Sequence, residues 1–110
     1  MSFDAASVAF REAMTETRIY LASGQRSGER DYDKEASLAR FWLKASSESR
    51  RHAKRLSDVC LEMSNYWACP SDNPFEHSQE ILDSIEIIFN KDREGREIMM
   101  RESKKNEGVV

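Results

Sequence analysis

The two histidines, His52 and His77, are the side chains best suited to acid–base or metal chemistry near neutral pH, and each has a carboxylate one helical turn away. Glu48 and His52 are spaced i, i+4, and His77 and Glu80 i, i+3. Two such pairs could in principle bind zinc, but they belong to different helices and several turns separate them. Neither histidine has the glutamate three residues before it that marks di-iron bundles. Cys60 and Cys69 lie about 13 Å apart if the helix persists between them, against a limit near 7 Å for a disulfide. They read as free thiols of a reducing compartment, with Cys60 on a core face. Cys-x-x-Cys, glycine-rich phosphate loops and Gly-x-Ser-x-Gly are all missing. Asp72, Glu76, Glu80, Asp83 and Glu86 follow one another without a base placed to make a catalytic pair, so a solvated acidic face is expected. We therefore expect no catalytic residue, no metal and no cofactor.

The clearest candidate for function is a basic stripe. Arg40, Lys44, Arg51, Lys54 and Arg55 fall within about 60° of one line on a helix, opposite its apolar face, with Glu48 at the edge. From Arg40 to Arg55 six basic side chains oppose one acidic, a net of +5, while Leu56 to Glu97 carries ten acids and three bases, a net of −7. Such polarity is what an acidic protein partner would recognise; a phosphate backbone is the alternative. The whole chain is net −3, which gives no global pull toward nucleic acid. Aromatic interleaving for single strands is not expected, because Phe41 and Trp42 are placed with the apolar face.

The elements that carry these residues are helices. Between Gly28 and Pro70 there is no glycine or proline, and Val59 is the only valine or isoleucine. Leu38, Trp42, Ala45, Ser49, Ala53, Leu56, Cys60, Met63 and Trp67 keep one helical phase throughout, widened by Phe41, Val59 and Tyr66. This predicts one long helix over about 33–68, capped by Asp31 or Asp33, with a break near Ser46 as the lesser alternative. A first helix over about 3–23 has the seam Phe3, Ala6, Phe10, Ala13, Met14, Thr17 and Leu21, followed by a polar loop from Gly24 to Arg30. A third is predicted over about 74–102, with Asn73 as its cap, Pro74 in its first turn and Ile81, Leu82, Ile85, Ile88 and Phe89 on one face; residues 103–110 read as a frayed tail. No strand pattern or repeat appears. The expected fold is a single all-α domain, a long antiparallel hairpin with the first helix laid against it.

Folded about a turn near residue 71, that hairpin has a problem of cover. The first helix, about 33 Å long, reaches only part of a second helix of about 54 Å. Leu56, Val59, Met63, Tyr66, Trp67, Ile81, Leu82 and Ile85 would then form the most apolar and least covered region. Each such side chain gains about 1.5–3 kcal/mol on burial, so a homodimer completing a helical bundle is expected there. Val8, Ile19, Leu43, Leu61, Ile87 and Ile98 lie off the seams and suggest a further interaction surface. With no apolar run near 20 residues and no basic, apolar leader, neither a membrane span nor a signal peptide is expected. These features together suggest a cytoplasmic, non-enzymatic interaction module, an adaptor, inhibitor or assembly subunit.

Overall fold

The computed structural model describes residues 3–51, 53–70 and 73–91. Four helices follow one another: α1 (Phe3–Ser27), α2 (Tyr32–Ser49), α3 (Lys54–Ala68) and α4 (Ser78–Lys91). The all-α class stands. What changes is the number and course of the helices.

The continuous helix expected over 33–68 is two helices folded back on each other. Arg50 is still helical (φ −54°, ψ −40°), the Ala53 amide still bonds the Ser49 carbonyl, and then Ala53 leaves the helical conformation (φ −155°, ψ 82°). No glycine or proline causes this break; tertiary contact does. The Ser46 and Ser57 hydroxyls each donate to the other residue's carbonyl at 2.7 Å, and Ser64 donates to the Ala39 carbonyl at 2.7 Å. Only small side chains let two backbones approach within reach of a serine hydroxyl. In a straight rod these alanines and serines would line one side with nothing to meet. Opening the helix loses a few hydrogen bonds of about 0.5–1.5 kcal/mol each to solvent. Packing α3 back buries Leu56, Cys60 and Trp67 almost completely, and each large apolar side chain returns about 1.5–3 kcal/mol. Burial wins.

The other two boundaries also move. α1 continues past Gly24 and ends at Gly28, whose φ of +71° suits the residue after a helix and whose amide bonds the Gly24 carbonyl at 2.7 Å. Asp31 is the cap of α2, accepting from the Lys34 amide at 3.0 Å. Asn73 does not cap α4. Its side chain accepts from the Phe75 amide within a turn, and α4 starts at Ser78. The continuation expected to residue 102, and the tail after it, lie outside the described residues.

α1 packs antiparallel to α2, and α3 returns parallel to α1. The core runs through Phe10, Met14, Leu21, Leu38, Trp42, Leu56, Trp67 and Ile85. The first seam is correctly placed from Ala6 onward: Ala6, Phe10, Ala13, Met14, Thr17 and Leu21 are all buried, and the side chain of Phe3 lies outside the described residues. Trp42 stands at the centre, edge-on to Phe10 at 6.0 Å, its indole N–H donating to Thr17 Oγ1 at 3.0 Å. At the other end of α1, Tyr20 meets Trp67 at 5.8 Å and Phe75 at 5.3 Å between ring centres.

Phe75 also explains why residue 24 is glycine. A Cβ there would overlap the Phe75 ring. Gly24→Ala is therefore expected to destabilise the protein by about 1–2 kcal/mol in urea denaturation, although alanine is the better helix former by about 1 kcal/mol. Once Phe75→Ala has emptied the space, the same substitution should stabilise by about 0.5–1 kcal/mol. An unchanged sign in the two backgrounds would show that the ring does not sit on the glycine.

Candidate functional site

Every member of the predicted stripe is exposed: Arg40 and Lys44 on α2, Arg51 in the turn, Lys54 and Arg55 in the first turn of α3. The fold divides them in two. Arg40 and Lys44 still follow one line along the outer side of α2, and Arg51 lies beyond its end in the turn. The turn carries Lys54 and Arg55 onto the next helix, so with Arg50 and Arg51 they crowd the hairpin tip. That tip is electropositive twice over. α3 has no acidic residue in its first turn and no side-chain cap, so its free amides add a partial positive charge to four cations.

Three cations elsewhere are neutralised within the chain. Arg30 pairs with Glu35 at 2.5 Å, Arg18 with Glu86 at 3.1 Å and Lys34 with Glu16 at 3.9 Å. None of the five stripe residues forms an ion pair with a described residue, and the Arg40 guanidinium donates only to Ser37 Oγ at 3.1 Å. A shallow groove of about 290 Å³ runs between Ser37, Arg40, Phe41 and Lys44. Phe41 is half-buried there, beside two cations. It also packs against the core, at the margin of the apolar face where its helical phase places it.

The expected oligomer surface is largely used within the chain. Leu56, Trp67 and Ile85 are interior, at 1% exposure or less, and are not available to a second copy. Val59, Met63, Tyr66, Ile81 and Leu82 are half-buried against the same core. The reason is the break at Ala53: a folded-back α3 places Trp67 against Tyr20 of α1, so the first helix is long enough after all. The off-seam residues fare differently. Ile19, Leu43, Leu61 and Ile87 are exposed and Val8 is half-buried, while Ile98 lies outside the described residues.

The groups weighed for chemistry stay apart. His77 pairs with Glu80 at 3.3 Å in the open, and His52 lies outside the described residues. Among the described residues no group of three or more His, Cys, Asp or Glu is arranged to hold a metal ion. Cys60 is a buried free thiol, pushed up to about 12 by burial and so held protonated, and Cys69 is a free thiol at the surface. No described helix is long and apolar enough to cross a membrane. The chain matches no protein-family model, no curated protein and no solved structure.

Proposed function

We propose that this chain is a non-enzymatic helical interaction module, active as a homo-oligomer, that presents the cationic side of its α2–α3 hairpin to an acidic protein surface. One observation carries this reading: in a chain of net charge −3, five exposed cations on one hairpin have no carboxylate of their own among the described residues. Unpaired charges of one sign raise the rate and selectivity of encounter with an oppositely charged patch. Two unpaired thiols, one buried, suit a reducing, cytoplasmic setting.

A phosphate backbone is the second reading, favoured by the crowding of Arg50, Arg51, Lys54 and Arg55 beside the uncapped start of α3. Fluorescence anisotropy with a polyglutamate peptide and with a duplex DNA of mixed sequence separates the two. The acidic-protein reading expects the peptide to bind the more tightly, and Arg51→Glu with Arg55→Glu to weaken it at least tenfold while the far-ultraviolet spectrum is unchanged. Tighter binding to DNA, with an affinity that falls steeply with salt, would favour the phosphate reading. Undiminished peptide binding by the double variant would make the stripe an ordinary solvated face.

A further inference from the structure

The outer side of the α2–α3 hairpin, facing away from the core, carries a pattern that sequence phase alone does not reveal. The hydrogen bonds between Ser46 and Ser57 and between Ser64 and Ala39 set the register, in which residue i of α2 lies opposite residue 103 − i of α3. Ala39 and Ser46 point α2 toward α3, and Leu38, Trp42 and Ala45 point it toward the core. The side left over presents Ala36, Arg40, Leu43 and Ser47, all exposed. α3 repeats the spacing with Lys54, Asp58, Leu61 and Asn65, all exposed. Leu43 is 48% and Leu61 39% exposed, and the register sets them within about one residue, 1.5 Å, of the same level.

The rims of this surface differ in sign. Beside the leucines α2 offers Arg40 and Lys44, and α3 offers Asp58 and Glu62. In the same register Lys44 is level with Asp58, and Arg40 with Glu62, to within about one residue. None of the four forms an ion pair with a described residue.

We infer that a second copy of this chain docks on the α2–α3 outer face, about a twofold axis parallel to the helices. That operator lays α2 of one copy antiparallel on α3 of the other and preserves level along the axis. Leu43 then meets Leu61 of the partner subunit, Lys44 meets the partner's Asp58, and Arg40 meets the partner's Glu62, each contact made twice. A twofold axis lying in the interface but perpendicular to the helices would set Arg40 and Lys44 on their own copies and Asp58 and Glu62 on theirs, so these four charges select one operator. They also select the occupant, because at these four positions the face is its own complement. Helices of 18 and 15 residues lying 8–10 Å apart offer about 500 Å² per copy, near the lower bound for a specific interface. A dissociation constant in the micromolar range is the expected strength.

The inference rests on the reading of this hairpin as an interaction surface, and it divides the stripe. Arg40 and Lys44 serve the second copy. Arg51, Lys54 and Arg55 of both copies gather at one end of the dimer, free for an acidic partner.

Sedimentation velocity on the full chain tests the pairing. Wild type is expected to reach the dimer mass at 200 μM, and Leu61→Asp to remain monomeric. Lys44→Glu alone and Asp58→Lys alone should each weaken the dimer at least tenfold, since each makes two repulsive contacts. Their equimolar mixture should dimerise near wild-type strength, since one contact is then wild type and the other reversed. Both side chains are exposed, so circular dichroism should show unchanged helices. Wild type that stays monomeric, or a mixture no tighter than either variant, would overturn the inference. Arg51→Glu with Arg55→Glu should still dimerise, so loss of peptide binding by that variant and failure of this pairing are separate results.

Discussion

Trp42→Ala is expected to remove about 3–5 kcal/mol of stability, a large part of the roughly 5–15 kcal/mol of an ordinary domain. Trp42 has no exposed surface, packs edge-on to Phe10 and anchors α2 to α1 through its bond to Thr17. Its removal leaves a cavity between the two helices whose contact the rest of the fold is built upon. The Thr17 hydroxyl has a second role, donating to the Ala13 carbonyl at 2.7 Å, so it keeps a partner when the indole is lost. The reverse is not true. Thr17→Val strands a buried indole N–H at about 1–3 kcal/mol, whereas Trp42→Phe with Thr17→Val should cost less than the two singles together. Urea denaturation followed by circular dichroism gives all four values. A loss under about 1 kcal/mol for Trp42→Ala would mean that the α1–α2 contact does not depend on this ring.

Glu35→Ala is the second large expected effect, at about 2–4 kcal/mol, and it should change the pH dependence as well. Glu35 is 2% exposed; it accepts two bonds from the Arg30 guanidinium and one from the Tyr20 hydroxyl, which in turn accepts from the Asp31 amide at 3.0 Å. Burial opposes its charge, but the Arg30 and Tyr20 donors together outweigh burial, so the carboxyl sits below its ordinary value of 4.5. It therefore binds fewer protons folded than unfolded. Its contribution is complete above pH 4.5 and is lost as pH falls through the lower folded value. Tyr20 has the opposite sign. Burial, then its bond to Glu35, push it up from 10.0 to about 12, so its contribution is complete below pH 10 and is lost between there and about pH 12. Wild type should lose stability at both ends of the pH range. Glu35→Ala should flatten the acid limb and leave part of the alkaline one, because burial of Tyr20 remains. An acid limb as steep in the variant as in wild type would exclude this network as its source.

The candidate surface was partly legible in the sequence. Charge is local, so Arg40, Lys44, Arg51, Lys54 and Arg55 were identifiable as exposed cations from helical phase, and all five are exposed. Leu43 and Leu61 stood out as apolar residues off the seams. That they share a level, and that Arg40 and Lys44 share levels with Glu62 and Asp58, depends on a register that two serine contacts set between separate helices. No spacing along one chain contains that information.

By itself the sequence determined the helical class and which side of each helix turns inward. Its apolar residues recur at the helical period, and water excludes the same faces whatever the helices pack against. Ala6, Phe10, Met14, Leu38, Trp42, Leu56, Cys60 and Trp67 are all interior as their phase requires. Only the tertiary structure decided where the long helix ends. The amide of Ala53 keeps its helical bond to Ser49 before the chain turns, so the apolar phase runs through the break undisturbed. A pattern that records angle around an axis carries no record of a change in the axis itself. The cause of that change is contact between α2 and α3, a close approach through Ala39, Ser46, Ser57 and Ser64 that exists only after folding has brought the two helices together.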